Sequence, residues 1–286
     1  MKVRAVVALK ADFRLDVLLG VAGLARSTFF YQQARLVRPD PHGELDARIR
    51  TAFAQAKGRY GHRRIHRELG NTGWHVAKKT VLARMRTLGL SCQVRRRKRV
   101  STARGASGTT VENTLNRAFT ASAPNQKWVT DLTELRVGEE KRYLSPVMDL
   151  FDRQIIAYAL GPSPNLAVTT AALRQALATL GPAEQPLVHT DQGFQYQHRV
   201  WRRLLAEAGA TPSMSRKGNC LDNAVIESFF GHLKSELFLE RFQSIDALET
   251  AVHAYIQWYN HERTSATLRG LSPVQYRTQA RSASTL

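Results

Sequence analysis

Apolar positions recur at a helical spacing through the first third of the chain and at a strand spacing after Pro124. Leu15, Leu18 and Leu19 share one helical stripe, Gly20 and Gly23 interrupt it, and Ser27 is placed to cap a second helix carrying Phe29, Phe30 and Tyr31. Residues 15 to 36 are therefore expected to form two short helices. The pattern is helix-turn-helix-like, although many small helical hairpins share it. Between Leu45 and Leu90 the spacing predicts helices at about 45–57, 62–70 and 77–88, with glycines 58, 61, 70, 73 and 89 at the breaks. In the last of these, Val81, Met85 and Leu88 form an apolar stripe, while Lys78, Lys79, Arg84 and Arg86 project elsewhere with no acid among them. An apolar back and a cationic front suit a helix that enters a major groove or tracks phosphates.

After Pro124 the segments 127–137, 141–151 and 154–161 are β-rich and separated by the turn sequences Gly138–Lys141 and Asp152–Arg153, which predicts an antiparallel meander. A helix at 165–180, a strand at 186–190, a helix at 197–208, a strand at 211–215 and helices near 220–239 and 245–261 follow. The order βββαβαβα predicts an α/β fold, a mixed five-stranded sheet with flanking helices, preceded by all-α helix-turn-helix-type segments. Trp128, Trp201, Trp258, Phe229 and Phe230 are expected in the core. Leu248, Val252, Tyr255, Ile256 and Tyr259 form the stripe of a helix that closes it, with Asn260 and Arg263 assigned to packing and helix termination ahead of a reach to DNA.

Charge separates the two patterns. Residues 1–122 carry 25 Lys and Arg against seven Asp and Glu, and residues 123–286 carry 17 against 16. A positive field concentrated in one half suits the nucleic-acid backbone, where neutralising phosphates releases counterions. The run Arg95, Arg96, Arg97, Lys98 and Arg99 leads into STARGASGTT, which has neither period, and we read both as a basic linker that contacts phosphates. The expected domains are a short helical segment (1–44), a helix-turn-helix-like DNA-binding domain (45–92), the linker (93–121) and a catalytic core with its C-terminal helix and tail (122–286). The two cysteines, Cys92 and Cys220, exclude a disulfide framework or a four-cysteine zinc site, and no run approaches a membrane span or a signal peptide, so a cytoplasmic protein is expected.

Three acids sit in distinctive surroundings: Asp131 in WVTDLTEL, Asp191 in VHTDQGFQY and Glu227 in NAVIESFFGHLKSE. Asp131 has Val129, Leu132 and Leu135 about it, Asp191 follows a strand and precedes Gly193, and Glu227 lies in a helix between Ile226 and Phe229. Acids beside such neighbours are costly unless a cation compensates. Phosphodiester displacement uses two hard cations ~4 Å apart, and such ions prefer oxygen ligands. Among the other acids of this half, Glu134, Asp149, Asp152, Asp222 and Glu236, the best substitute is Asp149, a residue that also suits the support of Asp131. Asp222 is placed to cap the helix of Glu227. His62 and His66 have a zinc-like i, i+4 spacing but no third ligand nearby. Arg216, Lys217 and Gly218 form a loop before that helix, suited either to gripping a substrate strand or to remaining solvated.

Asp191 and Glu227 are separated by 35 residues, and Lys234 lies two helical turns beyond Glu227. This spacing resembles the D,D(35)E arrangement of retroviral-type integrases and bacterial insertion-sequence transposases. Further, RYGHRRIHREL, KWVTDLTEL, YLSPVMDLFD, HTDQGFQY, SRKGNCLDNAVIESFFGHLKSE and YNHERTSATLRGLSPVQYR resemble the second-reading-frame product of a large insertion-sequence family. The resemblance implies a ribonuclease-H-like core that cuts and joins DNA strands. It implies Asp131, Asp191 and Glu227 as ligands of two Mg²⁺ ions, with Mn²⁺ as an alternative, and a contact of Lys234 with the element's terminal DNA. The implied partners are double-stranded DNA (terminal inverted repeats and target), further copies of the chain on that DNA, and a fused or separate first-frame protein. A nuclease on the same fold that hydrolyses without transferring, and a DNA-binding regulator without activity, are the competing readings.

Overall fold

The computed structural model describes residues 2–37, 41–94, 111–216 and 220–284. It divides into two compact units, Met1–Thr51 and Ala52–Leu286. In the first, α1 (Lys2–Leu9), α2 (Leu15–Ala22) and α3 (Arg26–Val37) bury Val3, Val6, Leu19 and Phe29 together. The break between α2 and α3 falls at Gly23, whose φ of 61° closes α2 in the left-handed conformation while its N–H bonds the carbonyl of Gly20. Helix α1 was not anticipated: its eight residues offer only Val3 and Val6 to a core, too few to show a period. Helix α4 (Gly43–Gln55) runs across the division between the units.

The second unit continues with α5 (His62–Asn71) and α6 (Lys78–Thr87), which pack by burying Ile65 and Leu69 of one and Val81 and Met85 of the other. Then come β1 (Lys127–Thr130), β2 (Thr133–Val137), β3 (Glu140–Asp149), β4 (Ile155–Gly161), α7 (Leu166–Leu177), β5 (Leu187–Thr190), the short α8 (Phe194–Gln197), α9 (Arg199–Glu207) and β6 (Thr211–Met214). A 3₁₀ turn (Cys220–Asn223) leads into α10 (Ala224–Leu237), followed by α11 (Ile245–His261) and α12 (Pro273–Ser284). None of the described helices is long and apolar enough to cross a membrane.

One mixed sheet results, as the order of elements predicted. β4 and β2 pair with β3 antiparallel, β3 pairs with β1 antiparallel, and β1, β5 and β6 run parallel. The expected strand 127–137 is divided into β1 and β2, so six segments do the work of five strands. Thr130 faces Val147 and Thr133 faces Leu144, a register that carries straight through the gap and sets Asp131 opposite Pro146. Pro146 has no N–H for the ladder at that point. The break frees the backbone at Asp131, at the end of a central strand.

Alternate residues along the strands feed two cores. Val129, Leu144 and Met148 face α10 and α11 with Ile226, Phe229, Leu233, Leu248, Val252 and Ile256. Trp128, Val147 and Val188 face α7 and α9 with Leu173, Trp201 and Leu205. The sheet is thus held between two helical layers, and its middle strands reach the surface only at their ends. Helix α12 was not anticipated in the tail. It starts in a reciprocal cap: Gln275 donates its N–H to Ser272 Oγ (3.3 Å) and accepts at Oε1 from the Ser272 N–H (2.9 Å), with Pro273 in the first helical position.

Candidate active site

The three acids singled out by sequence are presented by three different elements. Asp131 follows β1, Asp191 follows the neighbouring parallel strand β5, and Glu227 lies in the first turn of α10. All three are half-buried. Asp131 Oδ1 accepts the N–H of Leu132 at 2.7 Å, and its Oδ2 accepts from Asn223 Nδ2 at 3.1 Å. Asn223 occupies the N-cap position of α10 but makes no side-chain cap; its amide reaches back to the strand instead. Asp191 Oδ1 accepts the N–H of Gly193 at 2.8 Å. A β-carbon at residue 193 would come within 2.9 Å of both that oxygen and Gln195 Oε1, so glycine permits the tight turn by which Asp191 is held.

The three acids act on one another electrostatically. Burial first, then the charges of Asp191 and Glu227, push the Asp131 carboxyl well above its ordinary range, against the pull of Lys234. Burial also raises Asp191, opposed by the Gly193 N–H. Tyr196, wholly buried, is held protonated by burial and by the charges of Asp131 and Asp191. Neither Asn223 nor Tyr196 was singled out from sequence. For Asn223 the signal lay in its place immediately before the helix of Glu227, and Tyr196 carries none apart from following Gly193.

The remaining acids are committed elsewhere. Asp149 lies at the other end of the β1–β3 pairing, opposite Trp128, and receives Arg277 Nη2 at 2.7 Å and the N–H groups of Asn125 and Phe151. Arg277 also holds Asp152. Asp149 therefore does not support Asp131; it ties α12 to the sheet. Glu134 binds Tyr143 and Lys141 across the β2–β3 hairpin. Asp222 does not cap α10. Fully buried, it takes two hydrogen bonds of 2.9 Å from the Arg216 guanidinium, one of 2.8 Å from Arg117 and one from Asn113. The Arg216 guanidinium first, then Arg117 and the Arg216 N–H, hold its carboxyl far below the usual range in spite of burial.

Lys234 is half-buried two turns along α10 from Glu227. Arg216 is exposed and is anchored by Asp222. Lys78 and Lys79 are exposed at the start of α6, with Arg84 half-buried farther along. Lys217 and the run Arg95, Arg96, Arg97, Lys98 and Arg99 lie outside the described residues.

Among the described residues no three Asp, Glu, His or Cys side chains converge into a ready coordination shell. The donor chemistry fits a hard cation all the same. The set is oxygen only, its members repel one another, and Asn223 Oδ1, a buried acceptor beside Asp131, has no partner among the described residues.

Comparison with known proteins agrees with this architecture. Integrase core domain families match residues 121–220 and 227–280, and an HTH-like domain family matches residues 42–99. The chain is 45% identical over 272 residues to the putative transposase InsK for insertion sequence element IS150 of Escherichia coli K12, covering 95% of this chain and 96% of the relative. It is 34% identical over 273 residues to the transposase InsF for insertion sequence IS3A of the same organism, covering 93% and 95%. The probable transposase for insertion sequence element IS1353 of Shigella flexneri is 42% identical over 96% of this chain, which spans 54% of that longer protein. Among solved structures, the HTLV-2 integrase catalytic core domain in complex with magnesium aligns with a TM-score of 0.45 and 19% identity over 55% of this chain and 98% of that one. The chain therefore belongs to the insertion-sequence transposases, with an HTH-like domain preceding an integrase core.

Proposed function

We propose that this transposase cuts and joins DNA strands at Asp131, Asp191 and Glu227, which together hold two divalent metal ions, Mg²⁺ or Mn²⁺. One observation carries the assignment. Five other acids of this half are taken up by arginine, lysine or tyrosine partners, whereas the hydrogen bonds reaching Asp131 and Asp191 come from amides and not from cations. When bound, the ions supply an activated attacking oxygen and a stabilised leaving oxygen for in-line displacement at phosphorus. The residues of the chain orient that chemistry. Asn223 and the Leu132 N–H fix the two oxygens of Asp131, Gly193 fixes Asp191, and Lys234 places a cation where the phosphate of an element end would lie. Water attacks in cleavage and a liberated 3′-hydroxyl attacks in joining, with no covalent protein–DNA intermediate.

The HTH-like segment, with exposed Lys78 and Lys79, is proposed to bind the terminal inverted repeats, with Arg84, the Arg95–Arg99 run, Arg216 and Lys217 adding phosphate contacts. Several copies of the chain would act together on the two ends. A first-frame protein, fused or separate, is proposed as a further partner. The reaction class is tested by offering the protein labelled element ends together with an unlabelled target duplex. Label covalently joined to the target supports transposition; shortened label with no joined product supports the nuclease reading.

A further inference from the structure

A cavity of about 770 Å³ lies between the start of α5 and the exposed side of α10, lined among others by Arg59, His62, Arg63, Gly231 and Lys234. A second cavity of about 560 Å³, by β2, shares Lys234 and Ser235 with it, so the two form one groove that passes on either side of Lys234. The acids along this groove are already matched. Glu236 is held by Arg263, Arg64 and Tyr255, and Glu134 by Lys141 and Tyr143. Its remaining charged side chains are cationic.

Two independent features at the α5 end point to an anionic ligand. Gly61 precedes the ten-residue α5 and supplies no side-chain cap, so the first-turn N–H groups meet the cavity without one. Arg59 is only 7% exposed, its guanidinium is stacked 4.8 Å from the Trp258 ring centroid and 5.7 Å from that of Tyr255, and its buried Nε has no hydrogen-bond partner among the described residues. A guanidinium fixed by two rings and left with an idle N–H is a donor site for an acceptor that arrives from outside.

We propose that this groove binds the phosphodiester backbone of a DNA strand, with Arg63, His62, Arg59 and the N-terminus of α5 gripping phosphates beyond the one that Lys234 contacts. The proposal rests on the DNA-joining reading of the site. It gives the segment Arg59–Arg64 a role distinct from the groove-reading face of α6: it grips the strand on the Lys234 side, two helical turns along α10 from Glu227. Arg64 of the same segment bonds Glu236 of α10 at 3.1 Å, which links the segment to the helix that carries Glu227.

The test measures binding of a short fluorescein-labelled duplex of arbitrary sequence by anisotropy across a salt series. Arg63 is exposed, so Arg63→Ala leaves the fold intact. Each lost phosphate contact lowers the slope of log K against log salt by about 0.9. Arg63→Ala is expected to show that loss, while Arg174→Ala, an equal charge change on the exposed side of α7, keeps the wild-type slope. Equal slopes for wild type and Arg63→Ala, or equal losses in both variants, overturn the proposal. Asp131→Asn run in parallel separates the two claims. Wild-type binding with joining retained in that variant defeats the carboxylate assignment and leaves the groove standing.

Discussion

Asn223 Nδ2 donates to Asp131 Oδ2 at 3.1 Å, a bond that ties the residue just before α10 to the residue just after β1. Ninety-two positions separate the two, and the bond brings the helix of Glu227 against the strand of Asp131. Hydrogen bonds to charged groups contribute about 1.5–3 kcal/mol, so Asn223→Ala is expected to lower the rate of strand cleavage roughly tenfold to a hundredfold. Single-turnover cleavage with the protein in excess over DNA reads this, and DNA affinity should be unchanged.

Gly193→Ala should be worse than its size suggests. The added β-carbon would meet the Asp191 carboxylate and the Gln195 amide at 2.9 Å, and the carboxylate has to move. A displacement of ~1 Å at a catalytic group costs on the order of a hundredfold in rate. Cleavage is expected to fall by that much while thermal stability changes little, because Gly193 lies in a turn outside both cores.

Mutual repulsion at the site predicts a trade between stability and activity. With metal removed by chelation, Asp131→Asn is expected to melt higher than wild type, because a buried charge facing Asp191 and Glu227 is gone. Each kcal/mol gained raises the melting temperature by about 2–4 °C in a domain of this size. Adding Mg²⁺ or Mn²⁺ should raise the wild-type melting temperature and leave that of the variant nearly unmoved, which differential scanning fluorimetry can follow.

Glu236 is the electrostatic anchor behind α10. Burial pushes its carboxyl up, but the hydrogen bonds and charge of Arg263 and the charge of Arg64 outweigh that and bring it to about 2. A depressed carboxyl stabilises the fold above its unfolded value, near 4.5, and that contribution disappears as the pH falls towards 2. Arg263→Ala leaves this buried carboxylate to Arg64 and Tyr255 alone and should cost about 1.5–3 kcal/mol at neutral pH. Urea unfolding at pH 6 and pH 3 should show the gap between wild type and variant narrowing in acid.

His189 and His232 predict a separate loss at higher pH. Burial lowers each to about 4, from an ordinary 6.5, with His189 held neutral between the hydroxyls of Ser213 and Ser215. The unfolded chain takes up these protons first, so stability is full above pH 6.5 and declines as the pH drops from 6.5 to 4. Chemical unfolding midpoints measured across that interval check it, and a flat profile would remove both histidines from the account.

Much of the fold could be read in advance because it is written in local periods. The α5–α6 hairpin, the three-strand meander and the α11 stripe each repeat apolar residues often enough to define a face. The carboxylates were legible for a related reason: an acid at the end of an apolar strand is conspicuous. Long-range partnerships were not legible. Asp222 is a sound helix cap by local rules, but Arg117 and Arg216 claim it from outside the helix. Asp149 is a plausible neighbour of Asp131 until Arg277, from a helix with little apolar stripe, binds it at the far end of the strand. That helix did carry a local sign, the Ser272 to Gln275 capping box with Pro273 inside it.

The most direct test of the account compares wild type with Asp131→Asn, Asp191→Asn and Glu227→Gln in one assay. The assay joins a labelled element end to a target duplex in the presence of Mg²⁺ or Mn²⁺, alongside DNA binding. The account predicts that each variant binds DNA as the wild type does and yields neither cut nor joined product. Joined product at the wild-type level from any of the three would contradict it.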